Sequence, residues 1–255
     1  MNNIFDSHAH YDSEAFNDDR KELLNVLPSQ GVCGIINCGT DIASSLKSLE
    51  YADEFPFVYA ACGIHPHEAE ECKDGYISVL RNLCNDPKCV AVGEIGLDFH
   101  YDFSPRDIQK KVFEEQLVLA KELDLPVIVH DRESHEETLN LLKKYRPKGV
   151  VHCFSGSVEM AKEVVKLGMY IGLGGAVTFK NARKPLEVAA IVPEDKLLIE
   201  TDCPYMTPVP FRGKRNDSSY IPYAAEVIAA VRGVTTQEIL DLTRANANSL
   251  FGLEL

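Results

Sequence analysis

Asp6-Ser7-His8-Ala9-His10 places two imidazoles two residues apart, just after the apolar pair Ile4-Phe5. Side chains at i and i+2 of a strand share a face, so a strand here aims His8 and His10 at one point. Two neutral imidazoles on one point suit a divalent transition metal. Alone, the pattern serves equally well as two polar loop residues. It gains weight because later apolar runs also lead into ligand-type residues: His65, Glu94, His130, His152 and Asp202. Any single one could be a satisfied core histidine or a capping acid. Together, His8, His10, Glu94, His130, His152 and Asp202 supply four imidazoles and two carboxylates, the ligand set of a two-metal hydrolase. Ionisable groups are seldom buried together without a partner.

The elements that must position these residues read as strand, loop and amphipathic helix, repeated. Ile4–His8, Val32–Cys38, Phe57–Gly63, Cys89–Glu94, Leu125–His130, Gly149–His152, Met169–Gly172 and Leu197–Glu200 are short apolar runs. Between them, Leu117 and Val118 alternate with Glu114, Lys121 and Glu122 at helical spacing, as do Leu139, Leu142 and Lys143. Ala161, Val164 and Val165 follow the same period. Asp41, Ser134 and Ser157 are candidate N-caps, and Gly168 a candidate C-terminal stop. Strict alternation of near-continuous apolar strands with helices predicts a parallel sheet covered by helices. Eight such units in 255 residues predict a single (β/α)8 TIM barrel over residues 1–255. Thr235–Phe251 reads as one more helix, packed outside it. A doubly wound open sheet is the alternative, but no Gly-x-Gly-x-x-Gly follows the first strand. Barrel enzymes carry their catalytic groups on the C-terminal rim, where the ligand-type residues fall.

Composition limits the partners. With 26 basic and 39 acidic residues the net charge is −13, which argues against a broad basic surface gripping long nucleic acid. A local basic site for a terminal segment remains open. The loop from Pro208 to Asn216 carries Arg212, Lys214 and Arg215. Arg212 and Lys214 are expected to clamp substrate phosphate, while Tyr205 and Phe211 could stack on a base. His65 is expected to bind substrate phosphate or support a ligand. His67, His100 and His135 suit solvated or capping roles. The eight cysteines (33, 38, 62, 72, 84, 89, 153, 203) form no Cys-x-x-Cys and read as small buried thiols. By strand alternation Cys153 and Cys203 should point away from the metals, so neither is expected to be a nucleophile. No apolar run approaches the ~18 residues of a membrane helix. The start Met1-Asn2-Asn3 does not resemble a signal peptide. No membrane contact and a cytoplasmic location are expected.

Six segments together resemble the TatD family of metal-dependent deoxyribonucleases. They are Asp6 to His10, Gly63-Ile64-His65-Pro66-His67, Gly93-Glu94-Ile95-Gly96-Leu97-Asp98, Pro126 to Arg132, His152-Cys153-Phe154-Ser155-Gly156 and Glu200 to Tyr205. Asn246 to Phe251 extends the resemblance nearly to the end of the chain. It implies an amidohydrolase-type barrel. It implies one metal on His8, His10, Glu94 and Asp202, with Glu94 bridging to a second on His130 and His152. The two divalent ions would be Zn, Mn, Co or Ni, and Mg less naturally. The implied activity is 3′–5′ exonuclease action on single-stranded DNA or DNA ends. Asp202 would take the proton of a metal-activated water, and Glu94 would act as the bridge. A monomer with no obligate protein partner is expected. The alternatives are a D-aminoacyl-tRNA deacylase, a small-molecule phosphoesterase or lactonase on the same two-metal site, and a metal-binding module without turnover. The complete ligand set counts against the last.

Overall fold

A computed structural model describes all residues, 1–255. The chain runs β1 (Ile4–Ala9), α1 (Arg20–Val26), β2 (Val32–Cys38), α2 (Ile42–Glu54), β3 (Val58–Cys62) and α3 (Tyr76–Cys84). It continues through β4 (Cys89–Asp98), α4 (Arg106–Leu123), β5 (Val127–Arg132), α5 (His135–Tyr145), β6 (Gly149–Val151) and α6 (Val158–Lys166). β7 (Tyr170–Leu173), α7 (Arg183–Ile191), β8 (Leu197–Ile199), α8 (Ile221–Arg232) and α9 (Thr236–Phe251) complete it. The eight strands are parallel and ordered as in sequence. Every residue of β1 and β4 is buried, as expected of strands covered on both faces.

The first and last strands close the ring. An isolated parallel bridge joins Ala9 to Cys203. The His10 amide donates to Cys203 O and the Asp202 amide to His8 O, both at 2.9 Å. Asp6 reinforces the seam, accepting from the Thr201 amide (2.9 Å), the Thr201 hydroxyl (2.6 Å) and the Ser218 hydroxyl (2.7 Å). The expected (β/α)8 TIM barrel is therefore the observed fold.

Apolar side chains fill two compartments. One lies between sheet and helices; the other, with Phe5, Ile36, Ala61, Ile128, Val150 and Leu198, fills the barrel interior. Ala247 and Phe251 belong to the interior cluster, so the last helix does more than pack outside: one face of it floors the barrel. A capping box of Thr235 and Glu238 starts that helix. Asn246 Nδ2 ties it to the chain entering β8, donating to Glu194 O (2.6 Å) and Leu197 O (2.8 Å). No helix is long and apolar enough to cross a membrane.

β1 and β7 outrun their expected ends by one residue, and β4 and β5 by more. β4 reaches Asp98 and β5 reaches Arg132, because their ladder resumes beyond a register shift and pairs Ile95 with Val129 through Asp98 with Arg132. Glu94 thus lies within its strand. Asp41 and Ser157 cap α2 and α6, and Gly168 follows α6 at φ +88°. Ser134 precedes α5 without capping it, since its hydroxyl donates to Leu97 O and bonds Asp131.

Candidate metal centre

The interior changes character two residues beyond its apolar layer. Ile128 leads to His130, Val150 to His152, and Leu198 to Glu200 and Asp202. Within β5 the i, i+2 step of a strand stacks His130 above Ile128, whereas His152, Glu200 and Asp202 follow the ends of β6 and β8. All six sequence-derived ligand candidates meet at this level.

They sort into two donor sets. In the first, His8 Nε2 and His10 Nε2 are 2.9 Å apart. Glu94 Oε2 lies 3.3 and 3.4 Å from them, and Asp202 Oδ1 3.7 and 3.6 Å. In the second, Glu94 Oε1 lies 2.8 Å from both His130 Nδ1 and His152 Nε2, which are 3.3 Å apart. His65 Nε2 reaches the same oxygen at 3.5 Å. Glu94 therefore presents one oxygen to each set. A tetrahedron with bonds of ~2.1 Å has edges of about 3.4 Å, close to the spacing of the first set. Imidazole and carboxylate lone pairs crowded at these distances fit divalent cations, and three overlapping groups are close enough to hold one: His8, His10 and Glu94; His8, His152 and Asp202; and His65, Glu94 and His130.

Groups behind the candidate ligands decide which ring nitrogen faces inward. Cys38 O pairs with His10 Nδ1 at 2.9 Å, so that nitrogen carries the proton and Nε2 keeps its lone pair for the site. Asp98 Oδ2 lies 3.2 Å from His130 Nε2, leaving Nδ1 to face Glu94. The same oxygen lies 2.9 Å from His67 Nε2. Glu200 Oε1 accepts from the Cys153 amide at 2.5 Å and lies 3.5 Å from His152 Nδ1. Gly172 makes room for it: an added Cβ would stand 2.5 Å from Glu200 Oε2.

Charge is partitioned within the cluster. Burial tends to raise Glu94, but the charge of His152 and the hydrogen bond from His10 hold it well below the usual carboxylate range. Burial acts likewise on Asp202, where the hydrogen bond from His10 and the charge of His152 hold it down. Burial lowers His10, yet bonding to Asp202 and Glu94 outweighs it and lifts the imidazole well above its ordinary value. His152 is lifted against burial by Glu94 and Glu200. Burial depresses His8 and, more strongly, His65. The metal-free cluster is thus a mixed set of charged and neutral imidazoles around two carboxylates.

The other singled-out residues fare unevenly. Arg212 Cζ sits 4.0 Å from the centroid of Phe179, and its Nη1 donates to Thr207 O at 3.1 Å. Lys214 Nζ sits 5.5 Å from the centroid of Phe211. Neither is ion-paired, whereas Arg215 is held by two bonds to Asp19. Tyr205 is exposed; Phe211 packs on Tyr220 and Tyr223. His100 pairs with Glu133 at the surface, and His135 with Asp131 at the start of α5. His67 departs from the expected solvated role through its bond to Asp98. Strand alternation does not govern Cys153 or Cys203, because β6 ends at Val151 and β8 at Ile199. Burial instead pushes both thiols well up, with Asp202 adding at Cys153 and Asp6 at Cys203, so both stay protonated. Sequence reasoning missed Asp98, Glu200 and His67 as partners of the candidate ligands. The even spacing of Asp98 from Glu94 was the available signal.

Imidazole and carboxylate donors on the C-terminal rim of an eight-stranded parallel barrel define a metal-dependent hydrolase. A phosphotriesterase homology protein from Escherichia coli shares the fold, with a TM-score of 0.67 at 16% identity over 97% of this chain and 98% of that one. More specifically, the signature of TatD related DNases matches residues 5–252, and the chain belongs to the TatD family. It is 44% identical over 251 residues to a Bacillus subtilis protein named "Uncharacterized metal-dependent hydrolase YabD", covering 97% of this chain and 98% of that protein. It is 36% identical to the "3'-5' ssDNA/RNA exonuclease TatD" of Salmonella typhimurium, with coverage of 97% and 98%. The crystal structure of YJJV, a TatD homologue from Escherichia coli K12, superposes with a TM-score of 0.93 at 35% identity, covering 99% of each chain.

Proposed function

We propose that this hydrolase is an exonuclease that removes nucleotides from the 3′ end of single-stranded DNA, and of RNA where the strand is unpaired. The observation that carries the reading is Glu94, whose two oxygens face two separate donor sets at 2.8–3.4 Å. Such an arrangement suits two cations acting on one phosphodiester. His8, His10, Glu94 and Asp202 would hold one ion; His130 and His152, with Glu94, the second. His65 stands beside that second set. When bound, two divalent ions bring the pKa of an attacking water towards ~7 and offset charge on the phosphoryl and leaving oxygens.

The chain's own groups supply the rest. Asp202 keeps a carboxylate at neutral pH because His10 and its neighbours hold its pKa down, and its side chain is partly open to solvent. It accepts the proton of the water. His65, neutral through burial, is suited to donate to a phosphate oxygen. Arg212 and Lys214, free of carboxylate partners, would steady the phosphates that follow. The net charge of −13 favours a strand end over a duplex, whose many phosphate contacts need an extended basic face. The names of the Salmonella relative and the TatD family support nucleic acid as substrate.

The test is Asp202→Asn, assayed on 5′-labelled single strands. Turnover should fall by about 10²–10⁴, the usual worth of general acid–base catalysis, with folding retained. Near wild-type turnover at saturating metal would remove Asp202 from the role of base. Equal cleavage of closed circular and linear strands would remove end-directed attack. A parallel panel of D-aminoacyl-tRNA, lactones and small phosphoesters separates the nuclease from the other ester hydrolases.

A further inference from the structure

Between β4 and α4, on the rim of the site, two aromatic rings stand open to solvent. Tyr101 is 47% exposed and Phe103 64%. They stack on each other with centroids 5.3 Å apart and planes 23° from parallel. The His67 ring meets both edge-on, at 5.5 and 4.8 Å. Arg132, at the end of β5, lays its guanidinium over Tyr101 at 4.6 Å. Its side chain is exposed and makes no hydrogen bond or ion pair, in a protein of net charge −13.

The rings are held open by their backbone. Asp98 Oδ1 accepts from the His100 and Tyr101 amides, both at 2.9 Å. Ser104 Oγ donates to His67 O, and Gln109 Nε2 to Ser104 O, both at 2.8 Å. Apolar rings so anchored in water mark a binding surface rather than a loose side chain. Their position names the ligand. The Asp98 carboxylate that fixes this loop is also the one behind His130. His130 and His67 centroids are 6.3 Å apart, and His67 and Tyr101 a further 5.5 Å. A strand whose phosphate lies against His130 would bring a neighbouring base to this place.

We propose that Tyr101 and Phe103 form a stacking subsite for an unpaired nucleobase next to the scissile phosphodiester, with Arg132 as its cationic edge. The proposal rests on the exonuclease reading and adds the substrate feature selected: an unstacked base. Stacking on an aromatic face tolerates every base, so the subsite selects unpaired ends without reading sequence. Paired bases would present only their edges and be refused.

The experiment compares three substrates: a 5′-labelled single strand, the same strand with an abasic residue beside its 3′-terminal phosphodiester, and bis(p-nitrophenyl) phosphate. In wild type the abasic change should lower kcat/KM about tenfold or more, mostly through KM, as loss of one base stack implies. In Tyr101→Ala/Phe103→Ala the intact and abasic strands should be cut alike. The ratio of kcat/KM for the intact strand over the small diester should fall by a similar factor. Phe103→Leu, which keeps apolar bulk in the loop, should show a partial fall and serves if the double variant is unstable. An unchanged ratio, or abasic discrimination retained in the variants, overturns the subsite. If wild type cuts the small diester but no strand, the exonuclease reading fails separately. A strand with 2-aminopurine at its 3′ end then decides the subsite: quenching by wild type and not by the double variant keeps it, and no quenching by wild type removes it.

Discussion

Replacing Asp98 by Asn tests whether the group behind a ligand sets the centre. Asp98 Oδ2 faces His130 Nε2 at 3.2 Å and His67 Nε2 at 2.9 Å, while Oδ1 accepts two backbone amides. The carboxylate therefore wants protons on both imidazoles. With its proton on Nε2, His130 has only Nδ1 to offer, and Nδ1 is the atom facing Glu94 at 2.8 Å. Burial acts to raise Asp98, but its bonds to His130, Tyr101 and His67 hold it below the ordinary carboxylate range, so it is charged wherever the enzyme works. In Asp98→Asn the amide oxygen can keep the two backbone donors, which turns an NH2 group towards the imidazoles. His130 then gains by moving its proton to Nδ1, and the inward lone pair is lost. A hydrogen bond to a charged group contributes roughly 1.5–3 kcal/mol, or about ten- to a hundredfold in affinity. Loss of an outer partner of a ligand histidine typically costs the same 10–100-fold. Metal titration should therefore show the His130–His152 set weakened by that factor, with activity partly restored by excess metal and thermal stability nearly unchanged. Affinity and activity within threefold of wild type would refute the argument that Asp98 fixes the tautomer of His130.

Other outcomes follow from the same geometry. In the metal-free protein His10 and His152 are held above 6.5, so their contribution to stability is full below that pH and lost as pH rises through their folded values. Metal must displace their protons, so the rise in Tm on adding metal after chelation should grow from about pH 6 to pH 9, and calorimetry in buffers of different ionisation enthalpy should record proton release. Gly96→Ala should cost at least about 2 kcal/mol, read by denaturant unfolding, because φ is +149° and an added Cβ would collide with the His130 carbonyl. Asn246→Ala strands the carbonyls of Glu194 and Leu197. It should cost about 1–3 kcal/mol in the same assay, with the metal content of the folded protein unchanged.

The barrel was legible because its causes are local and repeated. Strands buried on both faces must be apolar throughout, and helices covering them must be amphipathic, so the eightfold alternation is written in residue type. The six candidate ligands were legible for a related reason: His8, His10, Glu94, His130, His152 and Asp202 interrupt or follow apolar runs where a side chain of that type has no ordinary place. What residue spacing leaves open is which atoms face each other across the ring. That Glu94 divides its oxygens between two sets depends on six side chains from five strands, β1, β4, β5, β6 and β8, converging within one barrel radius. The inward nitrogen of His130 depends on Asp98, and that of His10 on the Cys38 carbonyl, groups whose proximity no local pattern records. Arg212 and Arg215 share one short loop, yet Arg215 is neutralised by Asp19, nearly two hundred residues earlier in the chain. Nothing in residue spacing singles out Tyr101 and Phe103. Their exposure on the rim goes with the hydrogen bonds that tie His100, Tyr101 and Ser104 to Asp98, His67 and Gln109.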